Sequence, residues 1–138
     1  MFINYLINKN AAHNLKSIKL NITKAENGVC IAELKVEKEH TNGMGGLHGG
    51  CIATIVDSLT SYALFTHKAA EGVLSVSVDI HVSYLKGAKC GDEILIKAEA
   101  IKCGKSVGFT ECILTNKATG DIIAKGSHTK YLMSQSTK

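Results

Sequence analysis

Cys51-Ile52-Ala53-Thr54-Ile55-Val56-Asp57-Ser58-Leu59-Thr60-Ser61-Tyr62-Ala63-Leu64-Phe65-Thr66-His67 is the stretch whose reading decides the fold. Ile52, Ile55, Val56, Leu59 and Ala63 recur at helical spacing and make one apolar stripe, flanked by the small polar residues Thr54, Ser58 and Ser61. The spacing predicts a single helix of about four to five turns. On both sides of it the period drops to two.

The clearest alternation follows the helix. Between Ser75 and Tyr84, Val76, Val78, Ile80, Val82 and Tyr84 fall on one face and Ser75, Ser77, Asp79, His81 and Ser83 on the other. Ahead of the helix, residues 17–24 and 29–36 alternate in the same way around Asn27-Gly28, a hairpin signal. Three more strands are predicted at about 93–103, 106–116 and 121–132, parted by Gly104-Lys105 and by Asn116-Lys117-Ala118-Thr119-Gly120. A lone apolar helix among six strands has to be covered by a sheet curling around it, so the expected class is α+β. With 138 residues, 45% of them hydrophobic, and no proline or low-complexity tract to mark a linker, residues 1–138 are read as one domain.

Composition excludes several classes. The five cysteines, at 30, 51, 90, 103 and 112, are odd in number and contain no C-x-x-C pair, which points to reduced thiols inside a cell. No apolar run is long enough for a membrane span, and the opening segment lacks the shape of a secretion signal. The cytoplasm is the expected compartment, with the mitochondrion as the alternative. The net charge of +4 comes from scattered lysines with 5% aromatics, a poor match to a nucleic-acid binder. A few of those lysines suffice for a polyphosphate ligand.

Two phosphate motifs fail on spacing. Gly104-Lys105-Ser106 ends like a P-loop, but Glu99 stands where its first glycine belongs, and His48 stands where a dinucleotide loop needs its last glycine. Residues 40–50 nevertheless hold five glycines and end in His48-Gly49-Gly50 at the start of the helix. Such a loop is either a floppy connector or a binding site, because backbone N–H groups at a helix start can hold an oxyanion. Asp57, two turns on, either faces solvent or serves as a general base. Ser77 and Asp79 are placed on the polar face of their strand. His40, His48 and His81 are spaced too irregularly for a metal site, and no metal is expected.

His40-Thr41-Asn42, Leu47-His48-Gly49-Gly50, Val56-Asp57 and Val76-Ser77-Val78-Asp79, with Thr115 to Gly120 and His128-Thr129-Lys130, together resemble the hotdog thioesterases of the 4-hydroxybenzoyl-CoA and phenylacetate-pathway type. The likeness runs from about Gly28 to Tyr131 and leaves residues 1–15 poorly matched, without an assigned role. It implies a long helix wrapped by an antiparallel sheet, and a homo-oligomer, a dimer of dimers, with active sites between subunits. It further implies that Asn42 and the Gly49 N–H polarise a thioester carbonyl, that Asp57 activates water, that Ser77 from the partner subunit helps to hold that water, and that His48 shapes the loop. Tyr84, Lys89, Lys102, Gly104, Lys105, Ser106 and Tyr131 are implied in binding coenzyme A. Gly87 stands where the family usually has proline.

The expected activity is hydrolysis of medium- to long-chain acyl-CoA by an activated water, without a separate cofactor, since coenzyme A belongs to the substrate. Two rivals remain at this point. One is a hotdog dehydratase or hydratase using His40 or His48, and the other a non-catalytic acyl-CoA-binding module. Retention of Asn42, Gly49, Asp57 and Ser77 together argues against the second.

Overall fold

The computed structural model describes residues 18–133. Strands β1 (Asn21–Glu26), β2 (Val29–Lys35), β3 (Ser75–Tyr84), β4 (Glu93–Cys103), β5 (Val107–Asn116) and β6 (Ile122–Leu132) form one antiparallel sheet in the order β1-β2-β4-β5-β6-β3. Helix α1 (Gly49–Thr66) lies across its inner face, and a short 3₁₀ turn (Lys38–His40) leads into the glycine-rich loop. This is the hotdog arrangement expected from the sequence.

The helical stripe explains the layering. Ile52, Ile55, Val56, Leu59 and Ala63 are all buried, against Cys30, Ala32 and Leu34 of β2, Ile94, Ile96 and Ala98 of β4, and Cys112 and Leu114 of β5. Two glycines set how close the helix comes. A Cβ on Gly126 would lie 2.5 Å from Val56 Cγ1, and one on Gly108 would lie 2.7 Å from Leu64 Cδ1, so only glycine admits the helix at both places. Asn27 and Gly28 take φ of +51° and +80°, the two positive values that a tight hairpin turn needs.

The structure departs from the periodicity in three places. Of the strand expected over 17–24, Ser17 lies outside the described residues, and Lys19 takes φ of +60°, which breaks extended structure, so β1 begins at Asn21. Helix α1 starts at Gly49 instead of Cys51, because the His48 Nδ1 accepts a hydrogen bond from the Gly50 N–H at 2.8 Å and caps the helix two residues earlier. The third departure lies in β3. Its register against β6 slips between Ser77, opposite Lys130, and Asp79, opposite Thr129, so Val78 is a bulge. The slip puts Ser75 and Ser77 on the same inward face as Ile80, Val82 and Tyr84, not on the outward face with Asp79, His81 and Ser83.

Candidate active site

The glycine-rich loop is laced by hydrogen bonds and is no floppy connector. Asn42 Oδ1 accepts from the N–H groups of Met44 (2.9 Å) and Gly46 (3.1 Å), the Leu47 N–H donates to the Ala88 carbonyl (2.7 Å), and the His48 N–H donates to the His40 carbonyl (2.8 Å). With its amide oxygen committed to the loop, Asn42 has only its NH₂ group left to offer a substrate. The Gly49 N–H sits in the first turn of α1, where an amide has no acceptor within the helix, and no acidic residue in that turn neutralises the helix's positive end. Tyr84 closes the other side. Its hydroxyl donates to the Gly49 carbonyl at 2.9 Å, and a Cβ on Gly49 would meet its ring at 3.3 Å. Leu47, Gly49, Ile52, Tyr84 and residues 85–88, Gly87 among them, line a cavity of about 250 Å³ here.

A second polar group lies farther along the helix. Asp57 keeps its side chain 58% exposed, and its Oδ1 is 3.9 Å from Nδ1 of His128, whose own side chain is wholly buried. His128 stands on β6 between Thr60 and Ser77: its Nδ1 is 2.7 Å from Thr60 Oγ1 and its Nε2 is 2.7 Å from Ser77 Oγ. The direction of each bond follows from the protons available. Thr60 Oγ1 makes its shortest contact, 2.6 Å, with the Val56 carbonyl, and with its one hydrogen assigned there it accepts from His128 Nδ1–H. Burial, aided by the Lys130 charge, holds the imidazole below its ordinary range and neutral, against the pull of Asp57 and Asp79, so its Nε2 is an acceptor. Ser77 then donates to Nε2 and keeps its oxygen lone pairs open.

The implied site residues thus fall into groups. Asn42, His48, Gly49 and Tyr84 gather at the start of α1, and Lys89 lies beside them, its backbone bridged to Gly46. Asp57 is eight residues farther on, about 12 Å along the helix axis. Lys102, Gly104, Lys105 and Ser106 are exposed on the β4–β5 hairpin, at the end of the helix where Leu64 packs on Gly108, about 22 Å along the axis from Gly49. Tyr131 is half-exposed on the outward face, opposite Val107 and Val76. One chain therefore does not bring all of them together. His40 is buried with Nδ1 accepting from the Glu37 N–H and Nε2 donating to the Ile18 carbonyl, which leaves neither nitrogen for proton transfer. Among the described residues no three His, Cys, Asp or Glu side chains group as metal ligands, and no helix is long and apolar enough to cross a membrane.

His128, Thr60 and Lys130 carried no role in the sequence reading. The available signal was parity: Ala124, Gly126, His128, Lys130 and Leu132 share one face of β6, and small or apolar neighbours mark that face as inward.

A single helix wrapped by a six-stranded antiparallel sheet is the hotdog architecture of thioesterase structures. The profile of the Thioesterase superfamily matches residues 44–123, and the chain belongs to that family. It is 49% identical over 115 residues to acyl-coenzyme A thioesterase 13 of Homo sapiens, covering 83% of this chain and 80% of the relative. Among solved structures it is similar to zebra fish thioesterase superfamily member 2 (TM-score 0.84, 37% identity, 94% of this chain and 92% of that one). The Mus musculus structure of the same name gives a TM-score of 0.83 at 40% identity, covering 94% and 93%.

Proposed function

We propose that this protein hydrolyses fatty acyl-CoA to a free fatty acid and coenzyme A, with water as the nucleophile and without a metal or a covalent intermediate. The observation that carries this reading is the Ser77–His128–Thr60 chain beside Asp57, whose bond directions leave Ser77 Oγ as an acceptor for a water hydrogen. A water held by Ser77 and Asp57 turns a lone pair toward the carbonyl and gives up its proton to the carboxylate. The Gly49 N–H and the Asn42 amide would bind the oxyanion that forms. Similarity to acyl-coenzyme A thioesterase 13 supports the substrate class.

The site is completed by a second copy of the chain. Within one chain the proposed oxyanion donor at Gly49 and the base at Asp57 are about 12 Å apart along the helix, too far to act on one carbonyl. Two chains related by a two-fold axis bring the helix start of one to Asp57 of the other, twice per pair. β3 supports this. It is a sheet edge of ten residues with Val76, Val78 and Ile80 between 43% and 60% exposed, a strand suited to pairing with its own copy. In that pairing Ser77 and Asp57 of one chain, both beside the same His128, face the Gly49 N–H of the other, and the assembly doubles further to a dimer of dimers. Lys102 and Lys105 of the hairpin contact the coenzyme phosphates, and the acyl chain is of medium to long length.

Free-thiol release from acyl-CoAs of increasing length, by wild type and by Asp57→Asn, tests the reading. Turnover on at least one member, lost in the variant, is expected. Tight binding without turnover across the series would make this a binding module instead.

A further inference from the structure

Lys130 is 6% exposed, two residues from His128 on the same inward face of β6. Its ammonium donates to Ser61 Oγ at 2.6 Å, its one side-chain hydrogen bond among the described residues, and it forms no ion pair there. Ser61 Oγ donates in turn to the Asp57 carbonyl at 2.7 Å, which fixes the buried charge on the helical turn that carries Asp57. The Asp57 carboxylate is the opposing charge that acts on this ammonium, from beyond ion-pair contact, and burial outweighs its attraction and lowers the Lys130 pKa; an apolar side chain of similar volume would pack there at less cost. Packing therefore does not account for a lysine at this place.

We propose that Lys130 is a positioning residue acting through His128: it fixes the polarity of the Thr60–His128–Ser77 chain in the sense that leaves Ser77 Oγ open to accept from water. This rests on the water-activating reading of the site. The charged groups facing the imidazole are Asp57 from α1, Asp79 from β3 and Lys130 from β6 itself. The two carboxylates favour an imidazolium, while burial, the largest influence, and the Lys130 cation oppose it. An imidazolium would donate from both nitrogens. Ser77 Oγ would then spend one of its two lone pairs on Nε2–H and turn its own hydrogen outward, where it competes for the water's lone pair and draws that lone pair toward the serine, away from a carbonyl.

The test is an NMR titration of the His128 ring nitrogens, together with the pH dependence of kcat and KM, in wild type, Lys130→Met and Lys130→Arg. In Lys130→Met the His128 midpoint should rise, since the one cation that opposes its protonation is gone. The acid limb of kcat should move up with it, while KM stays as in wild type. Lys130→Arg should restore both midpoints. Should Lys130→Met not fold, Lys130→Gln, also neutral but polar, carries the same comparison. An unchanged His128 midpoint in the neutral variant, or a loss of kcat equal at every pH, overturns the proposal. The titration reads His128 without any turnover, so its failure is separable from a failure of the hydrolase reading.

Discussion

If Asn42 and Gly49 of one chain work with Asp57 of another, two dead chains should make a live enzyme. Asn42→Ala removes an oxyanion donor, which costs about 10²- to 10³-fold in kcat. Asp57→Asn removes the base at nearly constant shape and costs about 10²- to 10⁴-fold. In a mixed pair, one site inherits both lesions and the other inherits neither, because the intact Asn42 and the intact Asp57 meet across the two-fold axis. Random mixing makes about half of the pairs mixed, with one good site in two, so the mixture should recover about a quarter of the wild-type rate. The magnitude rests on the separation of about 12 Å along α1, which a single chain cannot close. Co-expression with two different tags isolates the mixed species, and thiol release reads the activity. Ser58→Ala, on the same helical turn, is the control and should lose little. Mixed pairs of proven composition that stay as inactive as either parent would refute the shared site.

Replacing Lys102 and Lys105 together by alanine should raise KM for acyl-CoA several-fold with kcat nearly unchanged, more so at low salt, since contacts to a remote phosphate are made equally in ground and transition states; an unaltered KM returns both lysines to plain surface. Gly126→Ala should lower stability by about 1–3 kcal/mol in urea unfolding, because its methyl group would stand 2.5 Å from Val56 Cγ1; an unchanged midpoint would mean that the helix is free to lift. Burial pushes the Cys30 and Cys112 thiols from 9.0 up to about 12, so the folded state prefers both protonated. Their contribution is complete below pH 9 and is lost toward pH 12, at about 1.4 kcal/mol per unit for each thiol. Unfolding free energies measured between pH 9 and pH 11 should fall toward that slope, and Cys30→Ala with Cys112→Ala should flatten it.

The elements were legible because each has an unmixed period: α1 shows one apolar stripe, and β2, β4 and β5 bury alternate residues against it. The hairpin turn was legible because Asn27-Gly28 is chemically suited to positive φ. The site was less so. The sequence from Val76 to Tyr84 alternates without interruption, and a bulge leaves no mark in such a pattern, so Ser77 was placed on the wrong face. His128 and Lys130 are polar residues at inward positions, where the usual rule reads polar as outward. The helix start was misplaced for a similar reason, since Gly49 and Gly50 are poor helix formers admitted at the first turn by the His48 cap.

The bulge at Val78 has a consequence for anyone rebuilding or trimming this domain. Deleting that one residue would give β3 a smoother ladder against β6 and, with the Ile80–Tyr84 half held in place, would turn Ser75 and Ser77 off the inward face. By every criterion of regular architecture the shortened strand is the better one, and the chain would keep its hydrophobic layer intact. What it would lose is the hydroxyl at His128 Nε2. Redesign that rewards ideal geometry would therefore yield a sturdy, well-formed and mute protein, and alignments that close a one-residue gap at this point would pair an outward serine with an inward one.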